Sequence, residues 1–364
     1  MLWTSLCGDV YGFIGLQVKT IRERLTRKSE AMIKLVAIIF KGLYDAQKAS
    51  RDHFLNDFDS CCAGSNDFMD MSEKCEDIIT DIRNECILSP KAEQTLELRA
   101  GFLLGLYCSD AVYAAQKISY FVFQDIYESE DITSILFTVE WLDEMPDNDV
   151  AVQVKITMGD YMADVLEYLD DIMIQKALEA LVTKCVLYYI EELLLRASTH
   201  KSGRDSFFVD NRRALERMEG DVRVFKEYFE EFDEDFPTLR KTVETEFDFF
   251  ETIQEIISIA GGCSDEDIRD YIYAFQNRVK NYDITYAIVG DLYHLVNPSE
   301  EKQVYEVIKS MEDDLKESNN NSTEDAATIH ARVPGLHLET MLKNTITNSA
   351  RKRPGEGKGL FSWG

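Results

Sequence analysis

Very few residues of this chain are spaced for catalysis or metal binding. The five histidines are His53, His200, His294, His330 and His337, and no two stand four positions apart. A helical zinc hydrolase needs two histidines one turn apart with a glutamate between them, so that two nitrogens and a base face one metal. The eight cysteines (Cys7, Cys61, Cys62, Cys75, Cys86, Cys108, Cys185 and Cys263) contain no Cys-x-x-Cys pair. The run Cys61, Cys62, Cys75, Cys86 also lacks zinc-ligand spacing. Several of these thiols sit among apolar residues, which predicts reduced, mostly buried cysteines in a cytosolic protein. Gly355, Gly357 and Gly359 follow no strand, so a phosphate cradle is not expected. No catalytic, cofactor-binding or metal-binding residue is assigned, and no cofactor.

Two acidic runs invite a metal, and a third invites a partner. Holding magnesium against a diphosphate takes carboxylates on one helix face. Asp143-Glu144-Met145-Pro146-Asp147 resembles the aspartate-rich motif of all-α isoprenoid synthases, but Pro146 interrupts the helix between the carboxylates. No second such motif follows, and no arginine pair for a diphosphate. Asp265-Glu266-Asp267 does not continue as a calcium loop, because Arg269 takes the fifth position. Asp233-Glu234-Asp235 reads as a loop before Pro237, with an acidic contact to a basic partner as the functional alternative.

One segment has a different chemistry. Arg351, Lys352, Arg353 and Lys358 are positive in a chain of net charge −28, and Leu360, Phe361 and Trp363 accompany them. Cations beside aromatics suit an anionic membrane interface or a partner groove; a frayed terminus is the simpler reading. Arg351, Lys352, Arg353, Lys358, Phe361 and Trp363 are therefore the candidate partner or membrane contacts.

The elements that would carry these residues are helices. Of 364 residues, 45% are hydrophobic and 29% charged, with only 18 glycines and 6 prolines. That composition excludes wholesale disorder and disfavours turn-rich β architectures. The excess of 67 acidic over 39 basic residues excludes nucleic acid as a partner of the whole chain, since phosphates must be met by cations. Residues 1–15 lack the basic start of a secretory signal, and residues 31–40 are too short to span a bilayer.

Apolar residues recur at helical spacing along most of the chain. Met162, Val165, Leu166, Leu169, Ile172 and Met173, then Leu178, Leu181, Val182, Cys185, Tyr189 and Leu193, predict one long helix ending near Arg196. Ser89 and Pro90 mark a helix start, expected to reach about Leu106 before a second helix over residues 109–129. Helices are also expected over residues 11–61 (one or two), 71–87, 210–232, 239–260, 265–280, 283–296 and 298–316. Residues 63–66, 199–206 and 318–323 read as loops, and 336–346 as a weak helix. Ser264 with Asp267 reads as a capping box. Gly261 and Gly262 read as a C-terminal stop. The domain expectation is a helical bundle over residues 1–145, a second over 146–317, and a mostly disordered tail over 318–364.

Four stretches then resemble a known family. Residues 113–126 lead into Leu136-Phe137-Thr138-Val139-Glu140-Trp141-Leu142, similar to a helix followed by Leu-Phe-x-x-x-Trp. Residues 161–169 resemble the long helix after it. Residues 215–229 resemble an Asp-x-x-x-x-x-x-Phe-Phe helix, with Asp221 and Phe229 in place and Tyr228 for the first Phe. Tyr282-Asp283-Ile284-Thr285, continuing through Leu292 and Leu295, resembles its terminal helices. The order and spacing are similar to the C-terminal half of the exocyst complex component 3 family, subunits of the exocyst vesicle-tethering complex. The family's N-terminal coiled-coil segment has no counterpart here.

The resemblance implies an all-α, elongated rod of stacked helical bundles that binds other exocyst subunits and SNARE proteins. It implies tethering of secretory vesicles before fusion, from the cytoplasm at the plasma membrane. It implies no catalytic residues. The alternatives are a helical-rod adaptor outside the exocyst and an isoprenoid-synthase-like enzyme.

Overall fold

The computed structural model describes residues 29–85, 88–129, 132, 134–144, 149–199, 211–258, 263–278 and 301–321, with isolated positions 9, 12, 15 and 16. Every regular element among the described residues is helical. They are α1 (Ser29–Phe54), α2 (Phe58–Glu85), α3 (Pro90–Glu128), a π-helical turn (Glu140–Glu144), α4 (Asp149–Tyr168), α5 (Asp171–Thr199), α6 (Asn211–Glu230), α7 (Leu239–Ser258), α8 (Asp265–Arg278) and α9 (Glu301–Asn321). The expected helix over 283–296, the weak helix over 336–346, most of the 199–206 loop and the Gly261–Gly262 stop lie outside the described residues.

The chain divides into two compact units. The first comprises Met1–Ser129, Val154–Lys184 and Phe232–Leu239; the second comprises Glu130–Gln153, Cys185–Glu231 and Arg240–Gly364.

In the first unit α3 packs along both α1 and α2. Its N-terminus forms as the sequence predicts: the Ser89 hydroxyl accepts from the Ala92 amide at 3.2 Å, and Pro90 occupies the first turn, where no amide hydrogen is needed. The helix does not stop near Leu106. Leu103, Tyr107, Ala111, Ala114 and Ala115 continue one buried face, and that burial carries a single 39-residue helix through Gly105 and Ser109. Residues 63–66, expected as a loop, are buried inside α2. Their small side chains fit beneath neighbours, and their polar groups are satisfied. The Ser65 hydroxyl donates to the Ala111 carbonyl at 3.0 Å, and the Asn66 amide to the Tyr168 carbonyl at 2.6 Å.

The expected long helix through residues 161–196 is two helices, α4 and α5, separated at Leu169 and Asp170. The Asp170 carboxylate accepts from the Ile172 amide at 3.0 Å, and its carbonyl from Ile174 at 2.8 Å, so Asp170 caps α5. Apolar spacing runs on through this break because Leu169 and Met173 are both buried. Residues 318–321, expected as a loop, close α9 instead.

In the second unit the buried part of α5 runs through Cys185–Leu193, where every position is buried. A helix buried on all sides has no polar face, so an amphipathic reading captures only half of its contacts. Phe229 of α6 meets Phe247 of α7 with ring centroids 6.3 Å apart, and the Lys226 ammonium lies over the Phe247 ring. Further along, α8 packs on α9. The Ser264 hydroxyl receives the Asp267 amide at 3.2 Å, and the Asp267 carboxylate receives the Ser264 amide at 2.9 Å, the reciprocal pairing expected of a capping box.

Candidate functional site

The six candidate contacts in the tail, Arg351, Lys352, Arg353, Lys358, Phe361 and Trp363, lie outside the described residues. So do residues 145–148 of the first acidic run; its Asp143 and Glu144 fall in the π-helical turn. Asp265 and Asp267 are taken up in the first turn of α8 and its cap. Among the described residues, no group of three His, Cys, Asp or Glu side chains is placed to hold a metal ion. None of the described helices is long and apolar enough to cross a membrane.

Four of the six described thiols are buried rather than reactive. Cys61, Cys62, Cys75 and Cys185 are buried, Cys263 is half-buried and Cys108 is exposed. Burial disfavours a thiolate and pushes Cys61, Cys62 and Cys75 each up to about 12.

Two features of the structure have the geometry to matter for function. The first is internal to the second unit. Asp221 of α6 is fully buried. One of its carboxylate oxygens accepts from the Trp141 indole at 3.0 Å and from the Tyr189 hydroxyl at 2.7 Å. The Arg217 guanidinium, one turn away on α6, donates to the Trp141 carbonyl at 3.0 Å. Phe137, Phe225 and Phe250 surround Tyr189 edge-on, at centroid distances of 4.8, 6.0 and 5.3 Å. Burial, then the neighbouring Asp221 charge, hold the Tyr189 phenol well above its ordinary range, so it stays protonated and donates. Phe137 holds this position with φ of 60°, a left-handed backbone that a side chain adopts only when its surroundings enforce it. The carboxylate is enclosed by aromatics and held by two donors on one oxygen, so it acts as a joint and not as a base.

This joint unites two stretches whose similarity was apparent in sequence, the Leu136–Trp141 passage and the Asp221 helix. Asp221 itself was not assigned a place in the core. Its position among Ala214, Met218, Phe225 and Tyr228 at three- and four-residue steps is the signal that would have placed it there.

The second feature is a surface groove in the first unit, between α1 and α3. Ala37, Phe40, Lys41 and Tyr44 share one face of α1 and line one wall. Arg99, Phe102 and Leu103 of α3 line the other, enclosing about 510 Å³. Phe40 and Leu103 are buried as its floor, while Phe102 is 60% exposed. The Tyr44 and Phe102 rings approach to 6.0 Å between centroids. Sequence spacing places each wall on a helix face, but it cannot show that no described residue covers them.

The family described as exocyst complex component Sec6 matches residues 14–262, over two thirds of the chain. The chain belongs to the exocyst component Sec6 family. Membership implies a tethering subunit without catalytic machinery, with other exocyst components as partners. The fold is similar to a crystal structure of the C-terminal domain of the exocyst subunit Sec6p. The TM-score is 0.69 at 13% identity, over 93% of this chain and 84% of that one. The helical fold expected from the apolar spacing is thus the fold of that domain. The matched residues 14–262 include the groove, Trp141, Tyr189 and Asp221, so both features lie within the part that defines the family.

Proposed function

We propose that this chain works as the component 3 subunit of an exocyst assembly, holding secretory vesicles at the plasma membrane ahead of SNARE-mediated fusion. The observation that carries the reading is the family match over residues 14–262. The Leu136–Trp141 and Asp221 stretches add support, because the two most specific parts of the sequence resemblance meet in one buried joint. A tether must transmit position between its partners. Interlocked helices, with a buried polar joint that is satisfied in only one arrangement, provide the required rigidity.

SNARE proteins and an anionic membrane are the further partners proposed. The tail residues Arg351, Lys352, Arg353, Lys358, Phe361 and Trp363 would supply the membrane contact. Four cations followed by two aromatics supply the charge and the interfacial anchors that an anionic bilayer selects. The location proposed is cytoplasmic, at sites of secretion.

The test is affinity purification of the tagged full chain from cells, read by quantitative mass spectrometry. Recovery of other exocyst subunits in stoichiometric amounts is expected. Their consistent absence, with unrelated partners recovered instead, overturns the assignment. Sedimentation of the same chain with phosphatidylserine vesicles tests the tail: charge reversal at Arg351, Lys352 and Arg353 should release it.

A further inference from the structure

The groove between α1 and α3 combines exposed aromatic surface with positive charge. Of the residues that line it, Phe102 on α3 is 60% exposed and Tyr44 on α1 is 36% exposed. Its rim is basic. Lys41 and Arg99 line it, and neither forms an ion pair or hydrogen bond with a described residue. Other bases of the chain do find acids, as Arg83 does at Glu97 and Arg51 at Asp110.

We propose that this groove is a docking site for an acidic amphipathic helix of a partner protein, whose apolar face seats on Phe102 and Tyr44 and whose carboxylates meet Lys41 and Arg99. Burying the exposed aromatic surface of Phe102 and Tyr44 supplies the attraction. The two cations set polarity and orientation.

Charge selects this occupant over the others. Residues 19–28 contain Lys19, Arg22, Arg24, Arg27 and Lys28 against Glu23, and the tail is also basic, so both segments are repelled by the rim; residues 1–18 carry a single carboxylate, Asp9, and cannot meet both cations. A second copy docking groove to groove about a two-fold axis would set Lys41 and Arg99 against themselves. A flat anionic membrane would bring the surrounding acidic surface of this −28 chain within a screening length of about 8 Å. A single helix meets only the groove. The proposal rests on the exocyst reading only for who supplies the helix.

Two experiments decide it. The purified full chain is titrated with a fluorescein-labelled helical peptide of about five turns, bearing leucines on one face and glutamates on its flanks. Saturable binding is expected. It should weaken about tenfold for the double variant Lys41→Glu/Arg99→Glu, and as much for the peptide with lysine in place of glutamate. Lys41 and Arg99 are exposed, so an unchanged circular dichroism spectrum is expected of the variant. No binding, equal binding of the lysine peptide, or tighter binding of phosphatidylserine vesicles to the same residues overturns the proposal. This titration needs no complex, so it stands apart from the pull-down.

In the second experiment a photo-reactive benzoylphenylalanine replaces Phe102 in the purified assembly. Cross-linking to an acidic helical segment of another subunit supports the proposal. Cross-linking to residues 1–28, to residues 351–364, or to a second copy overturns it.

Discussion

Trp141 and Asp221 lie 80 residues apart in sequence, yet the indole nitrogen donates to the carboxylate at 3.0 Å. The contact joins the π-helical turn to α6, and Tyr189 brings α5 to the same oxygen at 2.7 Å. A buried carboxylate is costly unless donors surround it, and here the donors arrive from different elements. Each element therefore has one position in which the carboxylate is satisfied. Phe137 accepts a left-handed backbone to complete the enclosure.

Removing the carboxylate should destabilise the chain heavily. Asp221→Ala leaves the Trp141 and Tyr189 donors buried without this acceptor, at a cost of roughly 3–5 kcal/mol. Tyr189→Phe removes one donor and should cost roughly 1–3 kcal/mol. Urea unfolding followed by tryptophan fluorescence reads both. A double-mutant cycle with Trp141→Phe and Asp221→Asn should show coupling above the error; additivity would mean that the joint has no energetic reality.

Local signals were legible in sequence where a side chain answers to its own backbone. Ser89, Pro90 and the Ser264–Asp267 box predict helix starts that the structure contains, because capping is decided within one turn. Long-range packing was not legible. The continuity of α3 past Gly105 depends on Tyr107 and Ala111 being buried by other helices, and the helical state of residues 63–66 depends on the Ala111 and Tyr168 carbonyls. The break at Asp170 went unseen for the converse reason: the apolar spacing on its two sides stays in phase. The groove was illegible for a further reason, since a helix face destined for a partner has the same pattern as one destined for the core.

The break at Asp170 should be sensitive to the residue that caps it. Asp170→Ala removes the acceptor for the Ile172 amide, and is expected to cost about 1 kcal/mol. Asp170→Asn or Asp170→Ser should restore most of it, since either side chain caps. Chemical denaturation midpoints of the three variants check the order; a stabilised alanine variant would mean that α4 and α5 prefer to merge.

Acidity should alter the second unit through Glu192. Burial outweighs the attraction of Arg196 and, with a push from Glu191, raises the Glu192 carboxyl from 4.5 to about 7. A carboxyl with a raised folded-state value holds more protons folded than unfolded between those two pH values. Stability therefore falls as pH climbs from about 4.5 to about 7. Glu192→Gln removes the buried charge. It should stabilise the chain at pH 8 by roughly 1–3 kcal/mol and change little near pH 4. Glu246, raised to about 7 by burial, should behave in the same direction. Melting temperatures of wild type and variant across this range give the difference directly; a gap that widens toward low pH would refute it.

Thiol labelling offers a test of packing that needs no variant. Cys108 is exposed on α3, with its sulfur 3.6 Å from the Ser72 hydroxyl, whereas Cys61, Cys62, Cys75 and Cys185 are enclosed. A maleimide needs both access and a thiolate, and burial withholds both. Among the described thiols of the folded chain Cys108 should label first, with the four buried ones slower by at least about a hundredfold, because they react only on local opening. Peptide mapping by mass spectrometry after timed quenching identifies each site. In about 6 M guanidinium the five should label at similar rates, since unfolding removes the protection. Fast labelling of Cys61 and Cys62 under native conditions would mean that α2 does not hold residues 61–68 buried against α3, which would remove the basis for the fold of the first unit.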